Sequence, residues 1–135
     1  MFVSTTARLR MAALAAVVLV VACSAVSAQP PRVTNVRVEV NPAHYAGPCP
    51  GTITFIAKIT VSAPCHVRYR WIRSDGGRAP EQELVFNAAG QQEVTTTWTL
   101  GGPQLRQFRG WEAIRILAPT PGTSSHANFD LRCIG

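Results

Sequence analysis

From residue 33 onward, apolar and polar positions alternate with a period of two. Gly, Pro, Ser and Asn interrupt the alternation at short intervals, as they do between half-buried β-strands joined by turns. The first run, 33–40, sets Val36, Val38 and Val40 against Arg37 and Glu39. The second, 52–61, places Ile53, Phe55, Ala57, Ile59 and Val61 on one face, with Thr52, Thr54, Ile56, Lys58 and Thr60 on the other. In the third, 66–73, Val67, Tyr69 and Trp71 face inward while His66, Arg68 and Arg70 face outward. Ser74-Asp75-Gly76-Gly77 then forms a turn, because glycine accepts positive φ at no steric cost.

Four more runs follow. Residues 82–86 end in Leu84-Val85-Phe86, and 92–99 put Val94, Thr96 and Trp98 on one face. In 111–118 the inward residues are Ile114 and Ile116, with Arg115 outward. In 126–133 they are Ala127, Phe129, Leu131 and Cys133. Residues 101–110 read as a long loop, and 119–125 as a shorter one. No segment keeps a helical period. Seven short strands at this spacing predict an all-β protein, a seven-stranded immunoglobulin-like sandwich. A tryptophan on the third strand suits that architecture. A small barrel is the alternative. Neither the second nor the sixth strand holds a Cys, so the inter-sheet disulfide of antibody domains is absent.

The first 28 residues lie outside this pattern and read as a secretory signal peptide. Arg8 and Arg10 form its basic start, and Met11 to Ala22 its apolar stretch. Val26-Ser27-Ala28 is the expected cleavage site, and the diproline Pro30-Pro31 that follows cannot continue a helix. The stretch is shorter than the roughly 20 apolar residues a spanning helix needs. Val20-Val21-Ala22-Cys23 also loosely resembles a bacterial lipobox, so a lipid on Cys23 is the competing reading and the one route to a membrane. Either way the remaining domain, 29–135, is exported to the periplasm or beyond. It keeps eleven basic and seven acidic residues, all the basic ones Arg except Lys58. This mild excess points toward anionic surfaces. A chain of 135 residues rules out a multidomain enzyme.

An ordered set of residues carries a resemblance. It runs Cys49-Pro50, Phe55, Ile59-Thr60, Val67-Arg68-Tyr69-Arg70-Trp71 and Arg73-Ser74-Asp75-Gly76. It continues through Phe86, Gly90, Trp98, Gly110-Trp111, Ser125, Phe129 and Cys133. The set resembles the Ig-like extracellular modules of bacterial secreted proteins, lipoproteins and membrane-protein ectodomains. The resemblance implies a fold and no enzymatic activity. Its first and last Cys match Cys49 and Cys133. The chain departs from it at Cys65, where such modules carry a small residue.

Strand tracing agrees with that pairing. If successive strands alternate up and down, Cys49 and Cys133 share one end of the sandwich and Cys65 lies at the other. The two ends are about 30 Å apart at roughly 3.3 Å per residue, while disulfide Cα atoms lie within about 7 Å. A Cys49–Cys133 disulfide is therefore expected. Cys65 is left as a free thiol in a turn or as the link of a covalent dimer.

Candidate chemistry is sparse. Cys65 and His66 are adjacent on a strand and point to opposite faces, which suits neither nucleophilic catalysis nor metal binding. A site from Cys65, His66 and His126 would need His66 and His126 to meet at the starts of their strands. No catalytic set is expected, and no metal or other cofactor. The outward positions on the third, sixth and seventh strands instead gather Arg68, Arg70, Arg115 and Arg132 against Asp130. This is a candidate surface for an anionic partner. Nucleic acid is not the expected partner, because the domain is read as exported and no aromatic side chain is expected to interleave the arginines. Glu81 and Glu83 read as a solvated face of an edge strand. The loop 101–110 offers Leu105, Arg106, Phe108 and Arg109 as contacts at the sandwich end. Two functions follow. The first is a noncatalytic interaction or structural module at the cell envelope. The alternative is a small secreted inhibitor or ligand-binding protein that uses the end loops.

Overall fold

A computed structural model of the chain describes residues 15–20 and 29–135. The expected cleavage site and Cys23 lie outside the described residues, as does most of the leader. Among the described residues there are nine strands and no helix: β1 (Val33–Asn41), β2 (His44–Gly47), β3 (Gly51–Val61), β4 (Cys65–Arg73), β5 (Gln82–Phe86), β6 (Gly90–Leu100), β7 (Gln107–Ala118), β8 (Gly122–Thr123) and β9 (Ala127–Cys133). All seven expected strands are present. The two additions are short: β2 pairs in parallel with β9, and β8 extends the edge of β7.

One sheet runs β1-β3-β6 and the other β2-β9-β7-β4-β5, with β8 beside β7. The sheets face each other as an immunoglobulin-like sandwich. The period-two alternation decides which side of each strand is buried. On β3, Ile53, Phe55, Ala57 and Ile59 are fully buried, and Val67, Tyr69 and Trp71 on β4 oppose them. Aromatic rings bridge the layers at one end. Phe129 of β9 lies 5.7 Å from Phe55 of β3 and 5.4 Å from Trp98 of β6, in edge-to-face geometry. Phe108 of β7 joins them, 5.5 Å from Trp98.

The Cys49–Cys133 disulfide closes the same end, with Cα atoms 5.4 Å apart across 84 residues of chain. Gly101 passes directly over it, at φ +98°, and a Cβ there would sit 2.6 Å from the Cys49 sulfur. Only glycine meets both demands.

Two expectations change. The segment 101–110 is not a long loop. Gly102 and Leu105 exchange backbone hydrogen bonds in a tight turn, and β7 begins at Gln107. Phe108 and Arg109 are therefore strand residues paired with Leu131 and Asp130 of β9. Phe108 packs on Trp98 instead of projecting from a loop. In addition, β9 begins opposite Glu112, partway along β7, because β8 occupies the edge beside Arg115 and Ile116. His126 therefore sits level with the end of β4, while His66 sits at its start. The two histidines do not meet.

Trp71, 3% exposed, fills the gap between the sheets. Trp71→Ala is expected to lower stability by about 3–5 kcal/mol, read as a shift in the urea midpoint with an unchanged slope. A midpoint that barely moves would remove Trp71 from the core.

Candidate functional site

The outer face of the β2-β9-β7-β4-β5 sheet carries the candidate residues, and it divides into two halves. In the half around β4, Arg70 and Arg115 are direct cross-strand partners, and Arg68 lies beside them. Edge strand β5 brings carboxylates to this group. Arg68 contacts Glu81 at 3.1 Å and Arg70 reaches the same carboxyl at 3.9 Å. His66 hydrogen-bonds Glu83. Glu81 is thus a partner of the arginines and Glu83 of His66. Both carboxylates are exposed on the solvated side of the sheet, and the surface is less basic than its arginines alone suggest. Arg115 is exposed and forms no ion pair among the described residues.

Arg132 is not part of that group. It pairs in register with Gln107, eight residues along β7 from Arg115, or about 26 Å at 3.3 Å per residue. It belongs to the other half of the face, built by β2, β9 and β7. Three rows of outward side chains cross these strands. Ala46, Arg132 and Gln107 form one row, and His44, Asp130 and Arg109 the next. Asn128 and Trp111 form the third. An aromatic side chain thus does stand beside the arginines of this face, contrary to the expectation, because β7 starts early enough to set Arg109 and Trp111 in one outward phase. His44 Nδ1 meets the Asp130 carboxylate at 2.9 Å. Arg109 and Arg132 are exposed and form no ion pair among the described residues.

Trp111 is held at its ring and at its backbone. His126 stacks on it, with ring centroids 3.5 Å apart and planes 8° from parallel. The Trp111 amide donates to Ser74 Oγ at 3.1 Å, and the Ser74 amide donates to the Trp111 carbonyl at 3.0 Å. Two contiguous hollows, of about 430 and 640 Å³, lie over these rows and share His44, Arg109 and Asp130.

Of the expected end-loop contacts, Leu105 sits in the tight turn, 38% exposed. The Arg106 guanidinium donates to the Cys133 carbonyl at 3.3 Å. The Leu105–Arg106 pair lies over the disulfide end, with both residues exposed. Cys65 is a half-buried free thiol at the opposite end, and burial raises its pKa. This favours the thiol over the thiolate. Among the described residues, no three His, Cys, Asp or Glu side chains gather closely enough to hold a metal.

Sequence reasoning missed Glu112. It is 3% exposed and lies on β7 in phase with Ile114 and Ile116, so the alternation that buries them also buries it. That phase was the available signal. One carboxylate oxygen has no hydrogen-bond partner. Burial raises its pKa from 4.5 to about 7, against the opposing pull of Arg73. The Arg73 guanidinium lies 4.5 Å over the Trp98 ring, and its Nε is 3.4 Å from Asp75. Glu112 faces a hollow of about 180 Å³ at the open edge of the sandwich.

No protein-family model matches the chain, and no curated protein matches it. Solved structures do. One is the CARDB domain of the PF1109 protein from Pyrococcus furiosus, in complex with di-metal ions. It is 11% identical with a TM-score of 0.50, covering 75% of this chain and 94% of that one. Another is the Pseudomonas fluorescens alkylpurine DNA glycosylase AlkC bound to DNA containing an abasic site analog. It is 17% identical with a TM-score of 0.42, covering 73% of this chain and 30% of that one. At such identities the first likeness defines the class of fold, an immunoglobulin-like β-sandwich, and the second carries no argument.

Glu112 generates a pH prediction. Its folded pKa is raised, so its stabilising effect is fully present below about pH 4.5 and is lost as pH rises through about 7. Relative to Glu112→Gln, the wild type should lose on the order of 2–3 kcal/mol between pH 4.5 and 8. Urea titrations of both proteins across that range check this. Parallel pH profiles would show that Glu112 ionises normally.

Proposed function

We propose that the chain is a noncatalytic interaction module, exported to the cell envelope, that binds an anionic partner through the outer face of the β2-β9-β7-β4-β5 sheet. The observation that carries this reading is the distribution of unpaired charge. On the outer face of the β1-β3-β6 sheet, Lys58 lies 3.2 Å from Glu39 and 4.0 Å from Glu93, and Arg37 lies 3.9 Å from Glu39. That face is balanced. The opposite face holds Arg109, Arg115 and Arg132, all exposed and without ion pairs among the described residues. Arg68 and Arg70, already engaged by Glu81, are secondary contacts.

Export is supported by the leader pattern and by the disulfide, which persists in oxidising compartments. The resemblance to bacterial extracellular Ig-like modules fits the same compartment. The compact turn at Gly102–Leu105 does not supply the projecting wedge that the inhibitor reading needs.

The reading is tested by cosedimentation of the purified domain with an isolated envelope fraction. Binding should weaken as salt rises from 0.1 M to 1 M and the Debye length falls from about 10 Å to about 3 Å. R109Q/R115Q/R132Q should sediment severalfold less, and R37Q/K58Q, on the other sheet, as the wild type does. Equal loss in both variants, or no binding at low salt, would sink the reading.

A further inference from the structure

We infer that the groove over β2, β9 and β7 is a binding site for an acidic glycan, a chain of pyranose rings bearing carboxylates. This rests on the interaction-module reading and names its ligand class. Three observations carry it.

The first is shape. The two hollows share a floor and hold about 430 and 640 Å³, within the range of roughly 300–1,000 Å³ typical of ligand sites. From Asn128 to Arg132 the groove follows four residues of β9, about 13 Å at 3.3 Å per residue. That length suits an extended oligomer better than a single small molecule.

The second is the aromatic platform. Trp111 lines the groove, whereas His126, stacked on its ring, does not. The stack orients the indole before any ligand arrives, and the hydrogen bonds to Ser74 fix the backbone that carries it. A pyranose ring carries a face of polarised C–H groups, and the electron-rich indole attracts them. An extended peptide or a bare phosphate has no comparable face.

The third is the pattern of polar groups. Arg109 and Arg132 flank Asp130, whose carboxylate is taken by His44. Both guanidinia are therefore free to pair bidentately with ligand carboxylates. Asn128, beside Trp111, offers both a donor and an acceptor to ring hydroxyls. Groups for carboxylate, hydroxyl and C–H face thus lie along one line.

The test uses the purified domain and three soluble probes: polygalacturonate oligomers, neutral dextran and dextran sulfate. Polygalacturonate should bind saturably, perturb tryptophan fluorescence and shift backbone amide resonances of β2, β7 and β9. Dextran should not bind. Trp111→Ala and R109Q/R132Q should each weaken polygalacturonate binding by about tenfold, the scale of one lost aromatic contact in the first and of a lost charge-assisted contact in the second, with unfolding midpoints near wild type. Asn128→Ala carries the same expectation if Trp111→Ala fails to fold. R37Q/K58Q, on the other sheet, should bind as the wild type does. The inference is overturned if polygalacturonate does not bind. It is overturned equally if dextran sulfate binds as tightly and Trp111→Ala changes neither interaction, because the face then attracts any polyanion. If envelope cosedimentation still depends on Arg109, Arg115 and Arg132 while polygalacturonate fails, the glycan assignment falls and the interaction reading stands. If both fail, both fall.

Discussion

The aromatic contact centred on Phe129 fixes the geometry on which the outer face depends. Phe129 reaches across the sandwich to Phe55 and Trp98 and packs beside Phe108. Rings of this size bury roughly 150–250 Å² each, so their burial outweighs most competing local preferences. It also locks the strand phase, because a slip of one residue would turn every side chain to the other face. With Phe108 and Phe129 inside, Arg109, Asn128 and Asp130 must be outside. The disulfide next to this cluster ties the β2–β3 connection to the end of β9, so the groove strands are held at the closed end of the sandwich.

The same phase puts Glu112 in the interior. Along β7, Phe108, Gly110, Glu112, Ile114 and Ile116 all face inward, and no bulge among the paired residues 107–112 rescues the carboxyl. It is tolerated because it lies at the open edge, where Arg73 is held over Trp98 and supplies partial compensation. Protonation supplies the rest. Packing has prevailed over local polarity here, as it can when a strand is pinned by neighbours on both sides.

Most of the architecture was legible in the sequence because one face of each strand is buried and the alternation records it. Val67, Tyr69 and Trp71 or Ala127, Phe129 and Leu131 could hardly be read otherwise. The start of β7 was obscured by Gly101-Gly102-Pro103 on one side and Gly110 on the other, all residues that usually mark turns. β2 and β8, of four and two residues, are too short to show a period. Register was the larger loss. That Arg68 meets Glu81, or that Arg132 stands far from Arg115, depends on pairings between strands distant in sequence, and one chain's periodicity does not encode them. Trp111 was visible as a residue, but its outward position became meaningful only beside Arg109, Asn128 and Asp130.

The two edges of the large sheet explain why its charge is uneven. β5 joins β4 and not the smaller sheet, and with Glu81 just before it and Glu83 on it, β5 brings acid to the arginines of β4. Charged side chains on a short edge strand also discourage pairing with other chains. The opposite edge is β2, whose outward residues are His44 and Ala46. It supplies no carboxylate, and its histidine occupies the one that β9 contributes. Arg109 and Arg132 consequently face solvent beside a tryptophan already held in place. A ligand there would meet side chains on paired strands, and pre-organisation of that kind lowers the ordering cost of binding. Arg68 and Arg70 would first have to release Glu81, which leaves Arg115 as the one uncommitted arginine of that half among the described residues. Binding capacity is therefore concentrated in the half of the face where the edge strand brings no acid.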